Sequence, residues 1–139
     1  VVSQFNTDVT SGLRKGALAY LSEQGIEVAP NNIIDAPGAF EIPLIAKALA
    51  KSGAFDGVVC LGCVVKGETA HFEYISESAS KGLMNASLET GIPLSFGILT
   101  TYNQDHAVVR SRDDAHNKGR EAAAACVETI LTLRQISAG

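Results

Sequence analysis

Short apolar runs of strand length alternate along this chain with longer stretches in which apolar residues recur every three or four positions. The opening run, Val1–Phe5, predicts a strand that delivers Asn6 to a loop. Leu13, Ala17, Leu18 and Leu21 then form a helical stripe, with Asp8, Thr10 and Ser11 available as caps and Gly25 as a stop. Ile26–Ala29 and Ile33-Ile34 predict a second strand, interrupted by Pro30-Asn31-Asn32. Pro43 suits the first turn of a helix, where its missing N–H has no helical partner, and Leu44, Ile45, Ala48 and Leu49 supply that helix's apolar face. Val58–Leu61, entered through Asp56-Gly57, is an apolar run of the kind buried on both faces of a sheet. A long helix follows, with Glu68 or Thr69 as cap and Phe72, Ile75, Ala79 and Leu83 on one side. Gly91 stops it, Leu94–Leu99 predicts a fourth strand, and Thr100-Thr101 close that strand. The rest is helical, about Gln104–Arg112 and then Asn117–Gln135, with Ala122, Ala123, Cys126, Ile130 and Leu133 facing inward and polar Ser111–His116 as the joint.

Four alternations of strand and helix predict an α/β domain with a parallel sheet covered by helices on both sides. Ligands of such sheets collect beyond the carboxyl ends of the strands. Those ends are Phe5-Asn6, Gly38–Glu41, Gly62–His71 and Phe96–Thr101, which is where the unusual residues fall. The stretch Gly57–Phe72 is the most telling, since a strand passes through a glycine-bearing loop into a helix start. That arrangement presents free backbone N–H groups and the positive end of a helix dipole, suited to phosphate or another small anion. His71, in the first turn, adds a side chain able to move protons near neutral pH.

Composition narrows the field. With 139 residues, 46% apolar and 19% charged, the chain reads as one globular domain spanning 1–139. A net charge of −4 gives no reason to propose nucleic acid as a partner, and no apolar run approaches the length of a membrane span. Val1–Asn6 reads as the second half of a strand, so the first strand is expected to be truncated at its start, with any organelle-targeting segment lying upstream. The odd cysteine count (Cys60, Cys63, Cys126) fits a reducing compartment, and cytoplasm is the default expectation. Cys60 and Cys63 form a CxxC, but Cys60 belongs inside a strand and no second pair exists to complete a zinc site. Buried small apolar side chains are the preferred reading, and no metal is expected.

Phe5-Asn6, Pro37–Pro43, Gly62–Phe72, Gly82-Leu83-Met84, Gly91-Ile92-Pro93, Phe96–Thr101 and Asn117-Lys118-Gly119 together resemble the 6,7-dimethyl-8-ribityllumazine synthase family, in order and spacing across essentially the whole chain. The resemblance implies a three-layer, flavodoxin-like domain with a four-stranded parallel sheet. It implies a transferase of riboflavin biosynthesis that condenses 5-amino-6-(D-ribitylamino)uracil with L-3,4-dihydroxy-2-butanone 4-phosphate, without cofactor. It also implies a homo-oligomer, a pentamer or a multiple such as a hollow icosahedral shell, with the site shared between adjacent subunits and riboflavin synthase as a candidate partner.

The same resemblance assigns roles. His71 is the proton-transfer residue, and Gly67, Glu68, Thr69 and Arg110 bind phosphate, Arg110 from the adjacent subunit. Phe5 stacks on the pyrimidine, while Asn6, Glu41 and the backbone around Ala39, Phe40, Val64 and Val65 hold the ring and ribityl chain. Phe96 closes the pocket across the boundary, Lys118 lies near the pyrimidine carbonyls, and Glu121 is a weaker candidate for orienting His71 or Arg110. The family usually reads Arg-Ala-Gly where this chain has Arg110-Ser111-Arg112, which makes Arg112 an alternative phosphate ligand. Two rivals stand beside this reading: an aldolase-like enzyme with Lys66 or Lys118 as Schiff-base nucleophile, and a non-catalytic lumazine or flavin binder.

Overall fold

The computed structural model describes residues 1–139. Its elements are β1 (Val2–Ser3), α1 (Thr7–Glu23), β2 (Asp35–Ala36), α2 (Ile42–Lys51), β3 (Val58–Val65), α3 (His71–Thr90), β4 (Leu94–Thr101), α4 (Gln104–Arg110) and α5 (Lys118–Ala138), with single 3-10 turns at Pro30–Asn32 and Ala39–Glu41. The strands form one all-parallel sheet in the order β2-β1-β3-β4. β3 is its spine, paired with β4 from Val58↔Leu94 to Val65↔Thr101 and with β1 at Val2↔Leu61. Because side chains alternate along a strand, Cys60 and Val64 enter one core while Leu61 and Cys63 enter the other. The first core is closed by Ile42 and Ala46 of α2 and Phe72, Ala79 and Leu83 of α3. The second is closed by Val9, Leu13 and Ala17 of α1, Ala107 of α4 and Ala122 and Ala123 of α5. The result is the three-layer, flavodoxin-like α/β arrangement.

Several expectations shift. Ile26–Ala29 forms no strand; Pro30–Asn32 winds into a 3-10 turn and the chain joins the sheet only afterwards, through Val2 N–H to the Ile34 carbonyl and Gln4 N–H to the Ala36 carbonyl (both 2.8 Å). Ile33 and Ile34 therefore wedge against the two cores from the threshold of β2. β1 ends at Ser3, whose hydroxyl accepts the Phe5 N–H at 3.2 Å and turns the chain out of the ladder. β3 continues four residues past Leu61, so Gly62 is a strand residue, where a Cβ would lie 3.2 Å from Ile42 Cδ1. Its missing side chain lets α2 seat closely on the sheet. On α2 the buried stripe is Ile42, Ala46 and Ala50 with Ile45 and Leu49 beside it; Leu44 and Ala48 face water. Leu133 is likewise exposed, α4 stops at Arg110, and α5 runs on to Ala138. Gly91 ends α3 as expected, in the left-handed conformation at φ 70.

Candidate active site

The carboxyl ends of β1, β2 and β3 bring one group of the expected residues together. Phe5 is 67% exposed where the chain leaves β1. Asn6 follows at φ 62, a left-handed conformation that asparagine tolerates, and its Nδ2 donates to the Cys63 carbonyl at 3.2 Å, tying the end of β1 to β3. No side chain caps α1, contrary to the expectation for Asp8, Thr10 or Ser11. After β2, Ala39 is buried and Phe40 projects into solvent. Glu41 takes the N-cap position of α2 but its carboxylate caps nothing, so it is free for an incoming donor. Val64 and Val65 are the last two residues of β3, not loop residues.

Between β3 and α3 the loop Lys66–Ala70 is exposed, and the N–H groups of Gly67, Glu68, Thr69 and Ala70 donate to nothing within the chain. The helix itself begins at His71, with Ala70 at the N-cap position. Thr69 contributes only a long contact, accepting the His71 N–H on Oγ1 at 3.4 Å, and Glu68 does not cap. Four unpaired amides at the head of a 20-residue helix are a ready acceptor site for an oxyanion. The His71 side chain is exposed and makes no hydrogen bond, and a Cβ on Gly67 would meet only open space.

The second group lies elsewhere. Phe96 sits mid-strand on β4, opposite Cys60, and with Arg110, Lys118 and Glu121 it lines an open cleft of about 350 Å³ along the outer edge of that strand. No residue of the first group lines this cleft. Asn103 caps α4 by accepting the His106 N–H at 2.9 Å, and Arg110 stands in the last turn, its Nη1 donating to the His106 carbonyl at 3.0 Å. Arg112 lies past the helix and outside the cleft. Glu121 pairs with Lys118 at 2.8 Å, and neither His71 nor Arg110 receives it. A larger, mostly apolar cavity of about 460 Å³ opens at the opposite end of the sheet, around Gly57, Val58 and Ile130, and no expected site residue lines it.

A positioning feature went unread in the sequence. Asn117 is 1% exposed; its Oδ1 caps α5 by accepting the Arg120 N–H (3.0 Å), and its Nδ2 donates to the carbonyls of Gly12 (3.0 Å) and Arg112 (2.9 Å). Gly16 makes room for it, since a Cβ there would run into the Asn117 side chain, while Gly12 and Gly119 let main chains approach where a Cβ would strike the Ser111 and Leu13 carbonyl oxygens. This junction of α1 and α5 holds Lys118 and the segment after Arg110. The signal for it was present in the spacing of Gly12 and Gly16, one helical turn apart and so on one face of α1.

The cysteines fit the bland reading. Cys60 and Cys63 are free, buried and on opposite faces of the sheet. Burial pushes the thiols up, to about 12 at Cys60 and about 11 at Cys63 and Cys126.

A family model for 6,7-dimethyl-8-ribityllumazine synthase matches residues 1–134. The chain belongs to that family. It is 65% identical over 136 residues to 6,7-dimethyl-8-ribityllumazine synthase 1 of Caulobacter vibrioides, covering 98% of this chain and 89% of the relative. It is 47% identical over 136 residues to the synthase of Nitratidesulfovibrio vulgaris (98% and 87% covered) and 48% identical over 135 residues to that of Syntrophus aciditrophicus (97% and 88%). As a family member it is an enzyme of riboflavin biosynthesis, a transferase working on small-molecule substrates. No helix is long and apolar enough to cross a membrane. The aldolase-like rival loses ground on geometry, because Lys118 is paired with Glu121 and Lys66 is exposed against the ring of Tyr102.

Proposed function

We propose that residues 1–139 act as one domain that condenses 5-amino-6-(D-ribitylamino)uracil with L-3,4-dihydroxy-2-butanone 4-phosphate to 6,7-dimethyl-8-ribityllumazine, releasing phosphate and water. The observation that carries the chemistry is the row of free amides at Gly67–Ala70 beside the unencumbered His71. The amides and the Thr69 hydroxyl receive the phosphate group, and the helix dipole of α3 favours its charge. The pyrimidine stacks on Phe5, with the Glu41 carboxylate and the backbone at Ala39, Phe40, Val64 and Val65 fixing its ring edge and ribityl hydroxyls. Asn6 anchors that floor through Cys63 and offers its Oδ1 to the substrate. The substrate amine attacks the ketone carbon, and His71 shuttles the protons that imine formation, loss of phosphate and ring closure require. Much of the acceleration comes from holding amine and ketone together, so the histidine aids the reaction without being indispensable.

Phe96, on the edge strand β4, and Arg110 and Lys118, on the helices that follow it, line an open cleft apart from the first group. We infer that they complete the site of a neighbouring copy: Arg110 binds the phosphate, Phe96 closes the pocket and Lys118 approaches the pyrimidine carbonyls, in a pentamer or a multiple of it. The test mixes the protein with both substrates and follows lumazine fluorescence and phosphate release. Wild type is expected to exceed the spontaneous rate clearly, with His71→Ala slower by up to about 10²–10⁴-fold and still active. Absence of acceleration overturns the assignment, and a stable, fully active monomer on sedimentation overturns the shared site.

A further inference from the structure

Two residues with no role in the scheme above bracket the free-amide loop. Lys66 opens it: its N–H donates to the Thr101 carbonyl at 2.9 Å, which continues the β3–β4 ladder by one bond and starts the loop level with the end of β4. The residue that follows β4 is Tyr102, 71% exposed, and the Lys66 ammonium stands 5.5 Å from its ring centroid. The same ring meets Phe72, at 6.1 Å between centroids and tilted by 38°. Phe72 is buried in the core under the first turn of α3, directly after His71. Tyr102 thus touches both ends of the segment that carries the four free amides and the histidine.

Within that segment the only ties are the 3.4 Å contact of Thr69 with the His71 N–H and, at its far end, the Ala70 carbonyl, which accepts the Glu73 and Tyr74 N–H groups as the helix begins. A loop so poorly tied must be ordered by the anion it binds, at a cost in affinity, unless something outside holds it. We propose that Lys66 and Tyr102 form a latch, a cation lying on an aromatic ring that is itself pinned to Phe72, which holds the loop 66–72 in its phosphate-receiving shape. Both are positioning residues, and the inference rests on the reaction proposed above. An exposed cation on a ring within 6 Å and a tilted aromatic pair within 7 Å are both favourable arrangements, and the ring, not the phenol hydroxyl, makes both contacts.

The test is steady-state kinetics on the full chain, varying each substrate in turn, with thermal melting alongside. Tyr102→Leu is expected to raise the KM for the phosphoketone about tenfold and to leave the KM for the pyrimidine within about twofold. Tyr102→Phe, which keeps the ring, restores wild-type values, and melting of both variants stays near wild type because the residue is exposed. Lys66→Gln shifts the same KM, and the double variant Lys66→Gln/Tyr102→Leu is no worse than the more impaired single. The latch is overturned if Tyr102→Leu leaves the phosphoketone KM unchanged, or if the two effects multiply, since Lys66 then acts on the phosphate by itself. Wild type that turns over normally separates either failure from failure of the reaction assignment; wild type that forms no lumazine overturns both.

Discussion

Asn117→Ala tests the junction of α1 and α5 that holds Lys118 and the segment after Arg110. Three contacts disappear together: the cap on α5 and the two Nδ2 bonds to the carbonyls of Gly12 and Arg112. A lost cap costs about 1 kcal/mol, and each lost internal bond about 0.5–1.5 kcal/mol, more where the carbonyl left behind is buried. The expected destabilisation is therefore about 3 kcal/mol, a large fraction of the roughly 5–15 kcal/mol that holds a domain folded. Asn117→Ser keeps a capping oxygen and is expected to cost about 1 kcal/mol less than Ala. Asn117→Asp also keeps the cap but sets a carboxylate against two carbonyl oxygens, so it is expected to be no better than Ala. Urea unfolding at one fixed protein concentration ranks the three, concentration mattering because assembly is linked to stability. The segment tethered through Arg112 begins at Arg110, so the phosphoketone KM of the Ala variant should rise severalfold at temperatures where it is folded. A loss below about 1 kcal/mol, or Ser falling level with Ala, refutes the assignment of these bonds.

Two glycines should behave oppositely. Gly119→Ala drives a methyl into the Leu13 main chain, which no rotamer change relieves, and is expected to cost about 3 kcal/mol or more in urea melts. Gly67→Ala meets nothing and should leave stability within about 0.5 kcal/mol, while raising the phosphoketone KM because the methyl stands where the anion approaches; an unchanged KM counts against the amide cradle. The thiols predict an alkaline limit. Unfolded, they ionise near 9.0, and folded they hold their protons to about 11 or 12, so above pH 9 the unfolded state binds fewer protons and stability falls as pH rises. At pH 10 each contributes a loss of about 1.4 kcal/mol; urea midpoints measured from pH 8 to 10 should decline, less steeply in Cys60→Ala, and a flat profile refutes the thiol linkage.

The sheet and its site end were legible because both write themselves into periodicity. A strand buried on two faces must be apolar at successive positions, as Val58–Leu61 is, and helices on a parallel sheet must each show one apolar stripe. What escaped was set by approach distance. Ile33-Ile34 looks like a strand, yet the pairing falls one step later, where polar Asp35 meets Val2. Gly62 looks like a loop residue, and only the seating of Ile42 shows why a strand needs it. The α2 face was misassigned at Leu44 and Ala48 for a related reason: every residue from Ile42 to Ala50 except Pro43 and Lys47 is aliphatic, so composition alone could not choose the buried side. Among site residues, those at strand ends, Phe96 among them, emerged from chain order, whereas Arg110 and Lys118 were assigned by resemblance alone, since nothing in their spacing says that they share a cleft with Phe96.

That cleft has a structural logic. A parallel sheet collects ligands at its carboxyl end, and there the loops after β1, β2 and β3 supply an exposed aromatic, a free carboxylate and a bed of amides, while Arg110 and Lys118 line a cleft elsewhere. The cations stand instead on the flank of β4, an edge strand eight residues long that in a monomer would expose its unpaired groups, with Phe96 nearly half exposed. If the two groups are halves of one site, as proposed, charge favours holding them apart within one chain. In the proposed shared site, a further arginine and lysine beside the four unpaired N–H groups and the helix dipole would add to the positive charge that Lys66 already brings to that loop. Here Arg110 rests on its own helix carbonyl and Lys118 on Glu121, each solvated and satisfied in the free subunit. On the shared-site proposal, bringing the β4 flank against a neighbour's amide loop creates a site whose excess positive charge is answered by the phosphate of its substrate.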